Sequence, residues 1–280
     1  MLSISLIIAT VNRTTELSNL LRSLMEQTIS RDAFEIIIVD QNKDGLIYPI
    51  VDLYNEALNI QYIQLSQRSV SKARNIGIDL AKGGILAFPD DDCKYYPDTL
   101  NKVIDFFTSH PDADMLLGYM YDRENKCNIT RNKEYGIRKL SKWSTRSKMI
   151  SSAIFTSVNE IKFDEKIGLG THFESSEDLD YIYQFLKKDK NIYYSSDIHI
   201  WHPISKIENY SLKEIKSYAL GHGAYVRKNN SIDLYFHFIR SIGYDLLLSF
   251  VFLTRGKKKI CHMHITNTIY KIYGYIRWKG

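Results

Sequence analysis

The sequence has little cysteine and no recognisable cysteine pattern. Its three cysteines, Cys93, Cys127 and Cys261, are odd in number and lack CxxC spacing. A disulfide framework and a zinc site are therefore not expected, and a reducing cytosol is favoured. The N-terminal stretch MLSISLIIATVNR has neither a basic segment nor a small-residue cleavage site, so we expect a first strand there and not a signal peptide.

Acidic residues are missing from the last part of the chain. Residues 255–280 contain seven Lys or Arg and no Asp or Glu. The longest apolar stretch, residues 242–253, is interrupted by Asp245 and is predicted to be too short to span a bilayer. Residues 232–279 mix aromatic and basic side chains, which favours helices on an anionic membrane surface. Packing of these helices against the rest of the chain is the alternative.

The composition is that of an ordinary folded protein. Hydrophobic residues make up 44% and charged residues 25% of the 280 positions. This is enough for one large core, or for a core with a small appendage. The sequence shows no internal repeat and no low-complexity tract.

Strand and helix signals alternate over the first 120 residues. Runs of apolar and β-branched residues predict strands, and apolar residues at helical spacing predict the helices between them. The predicted strands cover residues 3–10, 34–40, 60–65, 84–89 and 114–121, and the intervening helices begin near residues 14, 47, 70 and 98. Such alternation predicts a parallel sheet with helices on both faces, which binds ligands beyond the carboxyl ends of its strands.

The pattern weakens after residue 122. Residues 123–148 are predicted to be a polar excursion, and residues 151–174 a loop. Ser175 or Ser176 is predicted to cap a helix that reaches Leu186. Residues 191–201 are typical of a strand, and the chain from residue 209 onward is typical of helices.

Three aspartates follow the fourth predicted strand in the stretch AFPDDDC. Since side chains alternate along an extended chain, Asp90 and Asp92 are expected to face one space and Asp91 to point away. Two carboxylates placed in this way suit a hard divalent cation whose shell phosphate oxygens complete. A solvated turn is the alternative.

Other polar residues stand at the same predicted edge or at helix starts. Asp40 ends the second strand, and Arg74 begins a helix where it can meet a phosphate or a nucleobase. Glu177 and Asp178 open the late helix, where they either complement its dipole or supply a general base. His202 ends a strand and is either structural or a metal ligand.

Taken together and in order, these segments resemble a known family. They are ATVNR, IIIVDQN, SKARNIGI, AFPDDDC, FDEKIGLGTHFESSEDLDYIYQFLKK and IHIWHP. The chain resembles the inverting glycosyltransferases of family 2 with the GT-A fold over about residues 3–230. Two positions depart from the family pattern, because Val11 replaces a common aromatic residue and Gln41 replaces a small polar residue.

The resemblance implies roles for individual residues. Asp178 would be the catalytic base with Glu177 in support, while Asp92 and His202 would hold Mn²⁺ or Mg²⁺. Asp90 and Asp92 would form the DxD pair on the donor. The residues expected to contact the nucleotide sugar are Thr10, Asn12, Arg13, Asp40, Gln41, Arg74, Asp90 and Asp91. The residues expected at the acceptor end are Gly170, Thr171 and His172.

The resemblance also implies an overall organisation and function. The expected fold is α/β of the GT-A type, with a mostly parallel central sheet, a Rossmann-like nucleotide-binding half and a helical C-terminal extension. A catalytic domain would cover residues 1–230, with a donor half to about residue 122, and residues 231–280 would form the extension. The expected reaction moves a sugar from a UDP-sugar to a glycan or lipid-linked acceptor of bacterial surface polysaccharide. The expected location is the cytoplasmic face of the plasma membrane, with no nucleic-acid partner.

Two other functions are compatible with the predicted fold. A non-catalytic nucleotide-sugar sensor or scaffold is predicted to lack the base, whereas Asp178 is present. A nucleotidyltransferase is predicted to carry a glycine-rich phosphate loop after its first strand. The stretch ATVNRTTELS contains no glycine, which disfavours that function.

Overall fold

A computed structural model of the chain describes residues 3–129, 136–145, 151–203 and 210–280. The chain separates into two compact units, Met1–Phe163 with Gln184–Ile204, and Asp164–Tyr183 with Ser205–Gly280. The domain boundaries expected near residues 122 and 230 stay predictions. The polar excursion expected at residues 123–148 falls partly outside the described residues.

The first unit begins with the predicted alternation of strands and helices. Ser69 caps the third helix, since its side chain accepts a hydrogen bond from the backbone N–H of Lys72. Leucines at helical spacing on the first helix pack against the first two strands and form the core. The elements are β1 Ile4–Thr10, α1 Thr14–Met25, β2 Phe34–Asp40, α2 Tyr48–Asn55, β3 Ile60–Gln64, α3 Val70–Leu80 and β4 Ile85–Ala87.

The sheet continues through further strands in the rest of this unit. The strand order is β3-β2-β1-β4-β9-β6-β10-β5, and its longest strands pair in parallel. β9 runs antiparallel between β4 and β6, in a segment predicted as loop. The added elements are β5 Lys94–Tyr95, α4 Thr99–Ser109, β6 Met115–Asp122, β7 Cys127–Asn128, β8 Ile137–Lys139, α5 Lys142–Thr145, β9 Ile154–Thr156, α6 Glu177–Lys187 and β10 Ile192–Trp201.

Three long helices dominate the second unit, which also contains the start of α6. They are α7 Leu212–Asn229, α8 Ile232–Thr254 and α9 Lys258–Arg277. α7 and α9 pack closely because glycines face the neighbouring backbone. A Cβ at Gly274 would overlap the carbonyl oxygen of Leu220, and one at Gly223 would overlap that of Lys271. The predicted α/β class with a helical C-terminal region is thus confirmed.

We expect Gly274→Ala to lower the free energy of unfolding by about 1–3 kcal/mol, because the added methyl group must push α9 away from α7. Gly243→Ala is the matched control, since a Cβ at this α8 position meets nothing within 4 Å. The control is expected to be neutral, or more stable by up to about 1 kcal/mol, because alanine favours the helix. Urea unfolding of both variants measures the difference, and equal midpoints would contradict the close packing.

One prediction about the apolar stretch needs correction. Within the described residues, α8 is a helix of 23 residues that contains an 18-residue window with a mean hydropathy of 1.4, so it is long and apolar enough to cross a membrane by length and composition. The prediction considered only residues 242–253, whereas the helix begins ten residues earlier, at Ile232. Core helices of soluble proteins pass the same test when buried, but only 17% of this helix's apolar window is buried.

Candidate active site

Asp91 links the end of β1 to the acidic turn after β4. Its carboxylate accepts a hydrogen bond from Thr10 Oγ1 at 2.8 Å, and Arg13 Nε lies 3.5 Å from its other oxygen. Burial raises the pKa of Asp91 to about 6, although the Thr10 hydrogen bond and the Arg13 charge act in the opposite direction. Asp91 therefore joins two strand ends, and its expected contact with the donor stays a prediction.

Asp92 and Asp90 both approach the imidazole of His202. His202 Nε2 lies 3.2 Å from Asp92 Oδ1 and 3.9 Å from Asp90 Oδ2. The second oxygen of Asp92 forms an ion pair with Arg13. Burial alone would raise the pKa of Asp92, but the His202 and Arg13 contacts lower it to about 2. Asp92 is therefore an ionised carboxylate that lies between the Arg13 guanidinium and the His202 imidazole.

His202 is oriented by the chain that follows β10. Its Nδ1 lies 2.9 Å from the carbonyl oxygen of Pro203, so Nδ1 carries a proton and donates. Burial alone would lower the pKa of His202, but the hydrogen bond and charge of Asp92, with the charge of Asp90, raise it overall. Nε2 is thus the nitrogen presented to the two carboxylates.

Arg74 reaches the same cluster from the first turns of α3. Its guanidinium contacts Asp90 Oδ1 at 3.1 Å and lies over the ring of Phe163, 5.2 Å from the centroid. Arg74 is only 3% exposed, so its charge is held in place by packing as well as by the ion pair. The charges of Arg13 and Arg74 therefore offset part of the mutual repulsion of the three aspartates.

These side chains fit a divalent ion that is bound together with a diphosphate. Asp92 Oδ1 and His202 Nε2, which lie 3.2 Å apart, are an oxygen and a nitrogen donor of the kinds that divalent ions accept as ligands. The described residues contain no group of three or more His, Cys, Asp or Glu that could hold a metal. Donor oxygens and water would therefore have to complete the shell.

Asp40, which is predicted to contact the donor, is buried and hydrogen-bonded within the protein. It is fully buried, and it accepts hydrogen bonds from the Tyr62 hydroxyl at 2.7 Å and from the backbone and side-chain N–H groups of Asn42 at 2.8 and 2.6 Å. A carboxylate has about four acceptor positions, so one remains for a ligand donor. The expected contact between Asp40 and the base stays a prediction.

The loops after β1 and β2 are tied to each other. The Asn12 backbone N–H donates to Asn42 Oδ1 at 2.9 Å, and Gln41 N–H donates to the Thr10 carbonyl at 3.0 Å. Asn12 adopts a left-handed conformation with φ of 57°, which asparagine tolerates well. Gln41 Oε1 accepts from the backbone N–H of Ser69, so it also fixes the start of α3.

The second unit carries the predicted base at the start of α6. Asp178 is half-buried and Glu177 is 9% exposed. Asp180, two residues after Asp178, is fully buried. Its carboxylate accepts hydrogen bonds from Lys228 Nζ at 2.6 Å and from Asn229 Nδ2 at 2.9 Å. This contact anchors the first turn of α6 to the end of α7 and so fixes the backbone that carries Asp178.

Two of the predicted acceptor residues line an open cleft of about 700 Å³ in the second unit. Thr171 Oγ1 accepts a hydrogen bond from the Phe173 backbone N–H, and Gly170 is left-handed with φ of 90°. The lining residues are Lys166, Thr171, His172, Phe173, Tyr273, Arg277, Trp278, Lys279 and Gly280. The cleft is therefore cationic and aromatic, and Gly170 lies beside it in the sequence.

The comparison with family models decides the relationship. The model described as glycosyl transferase family 2 matches residues 5–168, which is more than half of the chain. The chain belongs to glycosyl transferase family 2. The matched residues include β1, β2, α3 and the acidic turn after β4, the elements that position the first-unit cluster.

Two known proteins show what this family 2 member is similar to, and one of them matches both in sequence and in structure. Poly(ribitol-phosphate) beta-N-acetylglucosaminyltransferase TarS of Staphylococcus aureus is 31% identical over 119 residues, which cover 42% of this chain and 21% of TarS. The structure of S. aureus TarS with UDP-GlcNAc has a TM-score of 0.60 at 22% identity, covering 79% of this chain and 66% of that one. Mannosyltransferase PcManGT of Pyrobaculum calidifontis, with GDP-Man and Mn²⁺, has a TM-score of 0.66 at 14% identity, covering 96% and 87%.

The comparisons establish the fold of this family 2 member. At these identities the two structures show the GT-A fold and nothing finer, and the predicted fold is confirmed. The chain spans about one fifth of the length of the curated TarS sequence.

Sequence reasoning missed several residues that hold the site together. Asn42 and Tyr62 secure Asp40, and Lys228 and Asn229 secure Asp180. Asn42 stands two residues after Asp40, where an asparagine often bonds to nearby backbone or side chains, so this signal was available. Lys228 is 48 residues from Asp180, and no local pattern connects them.

Proposed function

We propose that the protein is an inverting glycosyltransferase that moves a sugar from a nucleotide-diphosphate donor, a UDP-sugar, to a hydroxyl group of an acceptor. The observation that carries this proposal is the convergence of Asp90, Asp91 and Asp92 with Arg13, Arg74 and His202. Such a cluster binds phosphate oxygens through the cations and a divalent ion through the carboxylates. UDP-GlcNAc and GDP-Man in the two structural relatives agree with a nucleotide-sugar donor.

In this proposal the residues divide the chemistry among them. Arg13 and Arg74 orient the diphosphate, while Thr10 and Asp40 belong to the loops that receive the nucleoside. Asp92 and His202 would hold a divalent ion, Mn²⁺ or Mg²⁺, which would offset negative charge on the leaving diphosphate. Asp178 removes the proton from the acceptor hydroxyl as it attacks the anomeric carbon. One displacement inverts that carbon, and the nucleoside diphosphate leaves.

We further propose that the acceptor is an anionic, phosphate-bearing glycan or lipid-linked glycan of the bacterial surface. The cleft beside Gly170 supports this, because Lys166, Arg277 and Lys279 offer positive charge and Trp278 offers a flat apolar face. The TarS relative is named for poly(ribitol-phosphate), an acceptor of this class. The enzyme would act in the cytoplasm at the inner face of the plasma membrane.

The decisive experiment offers the full chain a panel of nucleotide sugars with a phosphate-bearing and a neutral acceptor. We expect one donor to be turned over, with faster transfer to the phosphate-bearing acceptor and an inverted anomeric centre by NMR. A sensor or scaffold would instead bind one nucleotide sugar with no turnover under any condition. Equal rates with both acceptors would contradict the proposed acceptor class and leave the transferase intact.

A further inference from the structure

Helix α8 has its polar and apolar faces reversed relative to a helix of a soluble protein. Its buried residues include Asp233, Asp245 and Ser249. Seven of its large apolar side chains point outward and are 50–83% exposed, whereas Leu234 and Phe238 are buried. These exposed residues are Ile232, Phe236, Ile239, Leu246, Leu247, Phe250 and Leu253. A helix at the surface of a soluble protein places its polar face toward water, so water does not explain this arrangement.

A buried polar cluster fixes α8 in this orientation. Asp245 is 5% exposed and contacts three side chains of α9. His264 Nδ1 and Asn267 Nδ2 each lie 2.9 Å from its oxygens, and Lys271 Nζ lies 2.7 Å away. Rotating α8 so that its apolar side faced inward would separate Asp245 from its partners on α9. It would also pack apolar side chains against the charged groups that α9 retains, and leaving buried charges without partners costs free energy. The contacts of Asp245 with α9 therefore keep the apolar face of α8 turned outward.

The exposed residues form one continuous stripe. Ile232, Phe236, Ile239, Gly243, Leu246, Phe250 and Leu253 are separated by alternating steps of four and three residues. We call these seven residues the outer stripe. Such a stripe can pack against a second helix in a coiled coil or lie in the interfacial layer of a membrane.

Charge decides between these two occupants. The turn after α8 presents four exposed cations, Arg255, Lys257, Lys258 and Lys259, and no acidic residue follows Asp245 in the chain. A coiled coil is usually flanked by residues of opposite charge that pair across the seam. Here the residue that adjoins the stripe is Leu247, which carries no charge. The exposed charges nearby, which include Arg240, are all positive. Lipid headgroups supply the missing negative charge.

We propose that the outer stripe and the basic turn at residues 255–259 bind an anionic lipid surface, with α8 lying in the plane of the interface. Crossing the bilayer is disfavoured because Asp245 and its partners on α9 would enter the hydrocarbon with α8. This inference rests on the proposed function only in placing the enzyme beside a lipid-linked acceptor. The binding itself requires no turnover, so the two can fail separately.

The test is cosedimentation of the full chain with vesicles of phosphatidylcholine alone and of phosphatidylcholine with about one third phosphatidylglycerol. We expect binding to the anionic vesicles only, weakened by salt because the charge interaction is screened. Leu246→Ser combined with Phe250→Ser is expected to weaken binding by at least about tenfold, since two apolar side chains no longer enter the interface. Lys257→Gln, Lys258→Gln and Lys259→Gln together should lower it by about tenfold or more.

Leu53→Ser is the matched control, because Leu53 is 74% exposed on α2 in the first unit. It should bind vesicles as the parent does, and every variant should keep donor hydrolysis and its circular dichroism spectrum. A parent that binds neither vesicle, or binds both equally, overturns the proposal. So does light scattering that shows a dimer which the stripe variant converts to a monomer, because a second copy would then cover the outer stripe.

Discussion

Asp178→Asn is expected to lower the rate of sugar transfer by about 10²–10⁴-fold while leaving nucleotide binding nearly unchanged. Asparagine has almost the same shape as aspartate but cannot accept the proton that the acceptor hydroxyl loses. Asp178 stands in the first turn of α6, whose backbone is held by the contacts of Asp180 with Lys228 and Asn229. The turn should therefore remain folded, and the loss should be one of chemistry.

The measurement compares kcat for transfer with the affinity for the nucleoside diphosphate by calorimetry. Glu174→Gln provides the matched control, since it removes an acidic charge four residues before Asp178 without touching the start of α6. The control should transfer sugar at close to the parent rate. An Asp178→Asn enzyme that keeps transfer within about tenfold of the parent would mean that another group accepts the proton.

The sequence predicted the first strands and helices of the first unit because its signals there are local. Apolar runs at β1 and β2 and the Ser69 cap of α3 each act over a few residues, and the structure places these elements within one or two residues of expectation. β9 was missed because it spans only Ile154–Thr156 and pairs antiparallel with strands distant in sequence. A run of three residues, of which only Ile154 and Phe155 are apolar, carries no period by which a strand can be recognised.

The sequence predicted that Asp90 and Asp92 in the acidic turn would face the same space, but it did not predict the partners of Asp91. Alternation along an extended chain predicted that Asp90 and Asp92 would face one space, and both approach His202. The partners of Asp91 come from β1 and the residues after it, about 80 positions away. Only the folded sheet, in which β1 and β4 are neighbours, brings Thr10 next to Asp91.

The orientation of α8 shows a limit of pattern reading. Composition and spacing indicated a helix with an apolar face, and such faces normally point inward. Which face is buried here depends on the partners of Asp245, which are supplied by α9 through residues 19, 22 and 26 positions later. A paired ionic cluster inside and an apolar stripe outside cannot be distinguished from the reverse arrangement by periodicity alone.

Asp92→Asn is expected to lower donor turnover by at least about 10²-fold and to remove its dependence on a divalent ion, because metal stabilisation of the leaving group is worth several kcal/mol. Asp92 is the carboxylate that lies nearest to His202, and its pKa of about 2 keeps it ionised at any working pH. The amide keeps the shape but is a weaker ligand for a hard cation. Chelation of the parent enzyme should produce a similar loss, and Mn²⁺ should restore the parent but not the variant.

Asp105→Asn is the matched control, since this exposed aspartate on α4 carries the same charge and its carboxylate accepts a hydrogen bond from Asn101 Nδ2 at 3.0 Å. It should respond to chelator and Mn²⁺ as the parent does. Mn²⁺ binding, followed by electron paramagnetic resonance with the nucleoside diphosphate present, separates loss of the ion from loss of the donor. A parent enzyme that keeps full turnover in chelator would instead assign the leaving-group charge to Arg13 and Arg74, the cations that already pair with the three aspartates.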